Sequence, residues 1–207
     1  MHPNPAFRDA PEWRTNHILR YRGFGTLCVN GESAPLLSHI PYMMTPNREA
    51  ARFHLVRSNP IARLPDGPAV LAVTGPDGYI SPDWYGADDQ VPTWNYVAVH
   101  ARGHLERRPA EELRELLEAQ SAFFEGQLEN KRPWTMDKMT PEVAERMMRQ
   151  IVPYTLHIED VQSTWKLNQN KPDTARLAAA DAIEEEAIGF ETDALAEMMR
   201  RVPLTED

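Results

Sequence analysis

Proline is the residue that most restricts the fold of this chain, because 18 of the 207 residues are proline. Proline lacks a backbone N–H and disrupts both helix interiors and central strands, and an ordinary protein contains only about 5% of it. The prolines are spread along the chain rather than gathered in one tract. The proline content therefore argues against a simple helical bundle, and we expect short elements separated by turns.

The order of these elements predicts strands first and helices later. After a first helix over residues 11–21, apolar segments separated by turn signals such as Asn30-Gly31 predict strands. The predicted strands cover residues 24–29, 36–44, 51–57, 69–74, 93–105 and 154–161, with a turn at 75–78 and another short strand starting at Tyr79. The predicted helices cover 109–128, 140–151, 173–188 and 192–201. This order predicts an α+β fold that is mainly β, with an antiparallel barrel and helices packed on it.

The formal charge of −9 is unevenly distributed. Residues 173–207 carry ten acidic and three basic side chains, whereas residues 1–172 carry 21 acidic and 19 basic ones. We therefore expect a barrel domain over residues 1–172 and an acidic helical extension over residues 173–207. An overall acidic chain is also a poor general binder of nucleic acid, since phosphate contacts require an excess of Lys and Arg.

Cysteine usage and hydropathy predict a cytoplasmic protein that does not cross a membrane. Cys28 is the only cysteine, so no intramolecular disulfide can form, and a reducing compartment fits. The first residues lack a basic region followed by an apolar run, and we expect no secretory signal. No apolar segment approaches the 18 residues that a membrane-spanning helix needs.

Two segments near the middle of the chain are rich in aromatic and polar side chains. Trp94, Asn95 and Tyr96 follow one another in the predicted strand 93–105, shortly after the aromatic segment 79–85. Stacking surfaces beside hydrogen-bonding groups suit a planar heteroaromatic ligand. Core aromatics at the rim of a barrel would produce the same pattern, so the residues alone leave both interpretations open.

A third candidate segment lies where the predicted strand 51–57 ends. Arg57, Ser58 and Asn59 place a guanidinium, a hydroxyl and an amide at the start of a helical turn, where backbone N–H groups are also free. These groups can form a cradle for a phosphate, although a surface arginine beside a Ser/Asn cap is the more common outcome. The polar segment 166–170 by itself indicates a solvated loop.

Motifs for several other chemistries are absent from the sequence. There is no Gly-x-Gly-x-x-Gly after a strand, no phosphate-binding Walker loop and no Gly-x-Ser-x-Gly, so nicotinamide Rossmann folds and nucleoside triphosphatases have no support. His100 and His104 are four residues apart, but the region is predicted as strand, so they lack the helical geometry of a two-histidine metal site. We therefore predict no metal site and assign no catalytic residue.

Six segments of the chain form a pattern that can be compared with known families. Three of them are Tyr79-Ile80-Ser81-Pro82-x-Trp84-Tyr85, Val91-Pro92-Thr93-Trp94-Asn95-Tyr96-Val97-Ala98-Val99-His100 and Trp165-Lys166-Leu167-x-Gln169-Asn170, and the upstream three are Phe24-Gly25-Thr26-Leu27, Ser38-His39-Ile40-Pro41 and His54-Leu55-x-Arg57-x-Asn59-Pro60. Together, and in this order along the chain, they resemble the PaiB family of FMN-binding negative transcriptional regulators, so the resemblance covers nearly the whole chain. Asn168 departs from the pattern, since serine is expected there, and the acidic run 184–186 is not typical of the family.

The resemblance implies an FMN-binding split β-barrel that forms a homodimer with the cofactor in a cleft at the subunit interface. It also implies roles for eleven residues. His54, Arg57 and Asn59 would approach the phosphate and ribityl chain of FMN, and Ser38, His39 and Pro41 would line the isoalloxazine edge. Trp94, Asn95 and Tyr96 would come from the barrel strand, and Lys166 and Gln169 from the loop that follows the barrel. Lys166 would place positive charge near the phosphate or the flavin N1.

Several functions remain in competition for such a protein. The resemblance favours a regulator, and the alternative is an FMN-dependent oxidoreductase or flavin reductase with His39 or Tyr42 as the nearest proton-donor candidates. A dimer whose cleft binds nothing, or haem bound through His39 or His100, would also fit. Direct DNA binding is doubtful because no helix-turn-helix pattern with basic recognition residues occurs, and the basic segments 102–108 and 131–132 are short.

Overall fold

A seven-stranded sheet forms the centre of the computed structural model, which describes residues 1–203. The strands follow the order β1-β2-β3-β6-β5-β4-β7, and β1 also pairs with β4. Six strands therefore close into an antiparallel barrel with β7 as an extra strand, which confirms the predicted fold class. The strands are β1 (Phe24–Val29), β2 (Leu36–Met44), β3 (Ala50–Val56), β4 (Gly67–Ile80), β5 (Thr93–Arg107), β6 (Ile151–Lys166) and β7 (Gly189–Phe190).

Five α-helices accompany the sheet, and proline or polar residues begin several of the helical segments. The α-helices are α1 (Glu12–Arg22), α2 (Leu113–Glu125), α3 (Pro141–Met148), α4 (Asp173–Glu186) and α5 (Thr192–Arg200). Short 3-10 turns cover Pro5–Phe7, Pro60–Arg63, Pro82–Tyr85, Ala110–Glu112 and Met136–Lys138. Three of these turns begin with proline, and in all three the preceding Asn or Ser side chain caps the turn. Proline is well suited to this first position because no N–H is needed there.

The chain divides into two compact units, each described here by itself. Unit 1 contains Met1–Leu19, Val73–His100 and the described part of Gln162–Asp207, and unit 2 contains Arg20–Ala72 and Ala101–Val161. In unit 2, β1 pairs with β2 and β4, and β3 pairs with β2 and β6, all antiparallel. The inward side chains of these strands are completely or almost completely buried and form the core of the unit: Leu27, Ile40, Tyr42, Phe53, Leu71 and Leu156.

The core of unit 1 lies where the two C-terminal helices meet. Helix α4 packs against α5 and against the turn Pro82–Tyr85. Ile183 and Leu195 are fully buried, and an added Cβ at Gly78 of β4 would lie 3.0 Å from each of their side chains. The absence of a side chain at Gly78 therefore allows both helices to approach the strand closely.

The predicted turn over residues 75–78 is wrong, because β4 runs through it without interruption. Within β4, the buried residues change from odd to even positions between Gly75 and Pro76, as happens at a β-bulge. An added Cβ at Gly75 would lie 2.9 Å from the Cβ of Val97, so a neighbouring strand packs closely here. Tertiary pairing has overridden the local turn preference of Gly-Pro-Asp-Gly.

The boundaries around β6 also differ from the prediction. Helix α3 ends at Met148, and β6 extends from Ile151 to Lys166 rather than over residues 154–161. The polar segment after it is not simply a solvated loop, since Trp165, Leu167 and Asn168 are buried. The remaining predicted helices and strands are confirmed to within a few residues, including both C-terminal helices. The domain boundary at residue 172 stays a prediction.

No helix within residues 1–203 has both the length and the apolar character that crossing a lipid bilayer requires.

Candidate functional site

Ser38 and Asn59 meet in unit 2 and form the centre of the first group of predicted site residues. The Nδ2 of Asn59 donates to the Oγ of Ser38 at 3.0 Å. The Oδ1 of Asn59 accepts from the backbone N–H of Ile61 at 2.9 Å and thereby caps the turn Pro60–Arg63. The cap fixes the Asn59 side chain, so the Ser38 hydroxyl is held in one place with its own proton left to donate.

His39 and Pro41 lie on the outward face of β2, opposite to the buried Ile40 and Tyr42. The ring of His39 stacks on Phe24 of β1, with 6.4 Å between the centroids and 22° between the planes. Successive strand residues point to opposite faces, so Ser38 does not share this surface with His39 and Pro41. The structure therefore divides the predicted isoalloxazine contacts between two faces of β2.

Arg57 follows β3 and is exposed, as a phosphate ligand needs to be. Its Nε donates to the carbonyl oxygen of Arg149 at 3.1 Å, which leaves the two terminal nitrogens of the guanidinium for a ligand. Arg57 also lines a cavity of about 390 Å³ together with Arg114, Arg149 and two glutamates. The positive charge of the arginines around this cavity is therefore partly balanced by the two glutamates.

His54 faces a different, apolar environment. Its Nδ1 is buried without a hydrogen-bond partner, and burial lowers the pKa of His54 below its ordinary value. It lines a cavity of about 310 Å³ whose walls include Trp134 and four methionines (Met136, Met139, Met147 and Met148). The imidazole is held in its neutral form there, which is a poor partner for a phosphate.

In unit 1, the strand geometry separates the three predicted residues of β5. Asn95 is completely buried, and its Nδ2 donates to the Sδ of Met199 at 3.4 Å. Trp94 and Tyr96 point to the opposite face, where Trp94 is 48% exposed. The aromatic ring of Tyr79 contacts both Trp84 and Trp94 edge to face, at 6.5 and 6.3 Å between centroids. Trp94 therefore presents an aromatic surface that neighbouring rings hold in place.

Lys166 contacts the start of β5 through Thr93, whose side chain points to the face opposite to Trp94. Its Nζ donates to the Oγ1 of Thr93, the residue directly before Trp94 in β5, and lies 6.0 Å from the ring centroid of Phe7. Burial lowers the pKa of Lys166, and the nearby charge of Lys171 lowers it further. Two cations that repel each other in a half-buried site favour an anionic ligand.

Lys171 is the functional candidate that the sequence interpretation missed. Its Nζ donates to the Oε1 of Gln90 and lies 4.9 Å from the ring centroid of Tyr85. Within the described residues 1–203, neither Lys166 nor Lys171 has a carboxylate at ion-pair distance. The sequence feature that could have pointed to Lys171 is the spacing of two lysines, five residues apart, on either side of a segment that turns back on itself.

Gln169, by contrast, uses its whole amide group to hold that segment together. Its Oε1 accepts from the N–H of Leu167 at 2.7 Å, and its Nε2 donates to the carbonyl oxygens of Ala6 at 3.0 Å and Trp165 at 2.5 Å. The preceding Asn168 has a left-handed backbone with φ of 61° and accepts from the Tyr85 hydroxyl at 3.3 Å. Gln169 is therefore placed to position Lys166 and Lys171, and a direct contact with a ligand stays a prediction.

No group of three or more His, Cys, Asp or Glu side chains arranged for a metal ion occurs in the part of the chain that the structure describes.

Comparison with known proteins identifies a family and one curated relative. The family described as "Putative FMN-binding domain" matches residues 1–160. The Bacillus subtilis (strain 168) protein named "Protease synthase and sporulation protein PAI 2" is 28% identical over 176 residues, which cover 82% of this chain and 83% of that protein.

Solved structures with low sequence identity share the fold. A FAD and haem binding protein from Mycobacterium smegmatis aligns with a TM-score of 0.56 at 17% identity, covering 77% of this chain and 73% of its own. The flavocytochrome Anf3 from Azotobacter vinelandii aligns with a TM-score of 0.57 at 13% identity, covering 80% of this chain and 72% of its own. At these identities the likeness supports the barrel fold alone.

Proposed function

Because this chain belongs to the FMN-binding domain family that matches its residues 1–160, we propose that it binds FMN. The observation that supports this proposal best is the half-buried ammonium of Lys166, which has no carboxylate partner and lies near a second cation, Lys171. An anionic group such as the phosphate of FMN suits this place, and the 48% exposed ring of Trp94 in the same unit offers a stacking surface to a planar ring system.

The residues present fit such a cofactor without rearrangement of the core. Lys166 and Lys171 would hold the phosphate or another anionic part of FMN, and Trp94 would contact a flat apolar surface. In unit 2, Ser38 and Arg57 each retain free donors, and their contacts with FMN stay predictions. When bound, FMN supplies redox chemistry, and the protein supplies binding, orientation and electrostatics.

Replacing Lys166 with methionine is expected to weaken FMN binding by about tenfold or more, since a charge-assisted hydrogen bond is lost. The affinity is measured by titrating flavin fluorescence against the purified protein. Riboflavin, which has no phosphate, is expected to bind the variant and the wild type about equally. Lys138→Met, which removes an exposed lysine of unit 2, serves as the control and should leave both affinities unchanged. A colourless wild-type protein that leaves flavin fluorescence unchanged during the titration would contradict the FMN proposal.

We also propose a homodimer with the cofactor cleft at the subunit interface. One surface of β1 and β2, the β1–β2 face, carries Phe24, Leu37, His39 and Pro41 with their side chains exposed. Phe24 is 56% and Leu37 64% exposed, and an apolar patch of this kind favours association with a second copy of the chain. The proposal rests on this face because charged residues, which would oppose a close contact, are absent from it.

Leu37→Glu is expected to convert the dimer into a monomer, because two glutamates would face an apolar interface across the two-fold axis. Size-exclusion chromatography with light scattering measures the mass. Val161→Glu, a change at an exposed apolar strand residue elsewhere in unit 2, is the matched control and should leave the dimer intact. If the monomeric variant still binds FMN at full affinity, the cleft is not at the interface, although the FMN proposal itself stands.

For the biological role, we propose regulation without direct DNA binding, in the cytoplasm. The name of the curated relative supports a role in controlling protease synthesis and sporulation only for that relative. Here one side chain in each basic segment is already paired: Arg108 with Glu106 and Glu112, and Lys131 with Glu125. We expect no sequence-specific gel shift at physiological salt, since these pairs reduce the cations available for phosphate contacts.

An FMN-dependent oxidoreductase or flavin reductase is the second candidate. Tyr42 is excluded as its proton donor, because the side chain is completely buried and burial raises its pKa. His39 is exposed and stacked on Phe24, so it remains available. The FMN-loaded protein should oxidise NAD(P)H faster than free FMN if this function is correct, and an equal rate would rule it out.

A further inference from the structure

A cavity in unit 1 lies between α1 and α5, and Trp165 at the end of β6 forms part of its lining. Its volume is about 250 Å³. None of the residues that we propose to bind FMN lines this α1–α5 cavity. Successive residues of a strand point to opposite sides, so Trp165 can line this cavity while its neighbour Lys166 contacts Thr93. The main lining residues are Trp13, Arg14, Ile18, Trp165, Met198 and Arg201.

Two buried donors without partners belong to residues of this lining. Trp165 is only 2% exposed, and its indole Nε1 has no hydrogen-bond partner among residues 1–203. The Nε of Arg14 is also buried and has no partner in the same part of the chain. Both groups can only donate hydrogen bonds, and buried donors in folded proteins are almost always satisfied. A molecule that occupies the cavity and reaches these groups would have to present acceptor atoms.

The charges around the cavity indicate that the acceptor is an anion. Glu197 is already paired with Arg201, at 2.5 Å. Arg14 has no carboxylate at ion-pair distance among the described residues, so one positive charge is left uncompensated. One carboxylate would accept from both unpaired donors and neutralise this charge.

The walls of the cavity favour a ligand in which a flat apolar ring is attached to that carboxylate. Two indole rings, Trp13 and Trp165, contribute to the walls together with Ile18 and Met198. The guanidinium of Arg14 lies 4.8 Å from the centre of the Trp13 ring, so the cation and one stacking surface are already held together. The volume is slightly below the roughly 300–1,000 Å³ of pockets for drug-sized ligands, which limits the occupant to a small molecule.

We propose that the α1–α5 cavity binds a small aromatic carboxylate, with its carboxylate accepting from Trp165 Nε1 and Arg14 Nε and its ring against the indoles. This site is independent of the proposed FMN site and goes beyond the function of the family. FMN itself does not fit this description, because its three-ring system with a ribityl phosphate is much larger than the cavity.

The test uses the full-length protein and benzoate, with indole-3-acetate as a larger probe. The chain contains five tryptophans, so a nitrogen-15 correlation spectrum shows up to five indole N–H signals. The Trp165 signal is identified by its loss in Trp165→Phe. Titration with either carboxylate is expected to shift this signal in a saturable way. Benzamide, which is similar in shape but neutral, should bind at least about tenfold more weakly.

Two variants distinguish binding of benzoate in the cavity from nonspecific binding. Trp165→Phe keeps an aromatic ring and removes only the donor, and it should weaken benzoate binding by about tenfold. Arg14→Gln changes a half-buried residue and should weaken binding by a similar or larger factor, while Arg20→Gln, an exposed arginine of the same helix, should leave it unchanged. Neither cavity variant should alter the affinity for FMN.

Three outcomes would overturn the proposal. One is the absence of any saturable shift up to about 10 mM benzoate, which lies above the millimolar range of weak specific binding. Another is equal affinity for benzoate and benzamide. The third is binding that persists unchanged in both cavity variants. If the protein does not bind FMN but binds benzoate as expected, the cavity proposal stands. If it binds FMN but not benzoate, only the cavity proposal is overturned.

Discussion

Replacing Gly103 with alanine is expected to leave little or no folded protein. Gly103 lies within β5, and an added Cβ would stand 1.7 Å from the carbonyl oxygen of His157 and 2.8 Å from its carbonyl carbon. Both are backbone atoms of β6, the neighbouring strand, so no side chain can rotate away to make room. Relief of the clash would require the two strands to separate inside the barrel.

The expected loss in the free energy of unfolding is more than about 4 kcal/mol, which is exceptional for a single substitution. Total stabilities of domains are only about 5–15 kcal/mol, so a loss above about 4 kcal/mol removes a large part of the stability. Urea unfolding followed by circular dichroism measures it, together with the yield of soluble protein.

Gly67→Ala provides the matched control for Gly103→Ala. An added Cβ at Gly67, in the first position of β4, meets no atom within 4 Å, and its backbone does not have a positive φ. This variant should be as stable as the wild type or more stable by about 0.4–1 kcal/mol, because alanine restricts the unfolded chain. If Gly103→Ala unfolds at the same urea concentration as Gly67→Ala, the close approach of β5 and β6 is incorrect.

The position of Gly103 shows what the sequence could predict about this fold and what it could not. The strand over residues 93–105 follows from its alternating pattern, and the structure confirms it as β5. A glycine inside a strand indicates a close backbone approach or a bulge, but the identity of the approaching strand depends on pairing between distant segments. The same limitation explains the error over residues 75–78, where local turn residues lie within the continuous strand β4.

The candidate site was predictable to a similar extent. The alternation of a strand already implies that Asn95 points away from Trp94 and Tyr96, so treating the three as one surface was avoidable. The role of Gln169 was not predictable, because its amide bonds Ala6, which is more than 160 residues away in the sequence. The α1–α5 cavity was hidden for the same reason, since its two helices lie at opposite ends of the chain.

Arg176→Met is expected to lower the free energy of unfolding by about 3 kcal/mol, because it removes hydrogen bonds donated by a charged group, each of which contributes about 1.5–3 kcal/mol. Arg176 of α4 is only 3% exposed. Its Nη1 donates to the carbonyl oxygens of Met199 and Arg200, and the distance to the latter is 3.2 Å. These carbonyls lie in the last turn of α5, where no N–H within the helix is available and a positive charge is favourable.

Methionine retains much of the length and apolar volume of the side chain, so the measured loss reports the hydrogen bonds and the charge rather than an empty space. Asp173, the ion-pair partner of Arg176, is exposed and can be solvated, so most of the cost arises at the end of α5.

Thermal unfolding should show a melting temperature about 6–12 °C lower, at about 2–4 °C per kcal/mol for a chain of this length. Arg63→Met, at an exposed arginine, should change it by no more than about 2 °C. Equal melting temperatures for the two variants would mean that Arg176 does not hold α5, and the positions of Met198 and Arg201 in the α1–α5 cavity would then need another explanation.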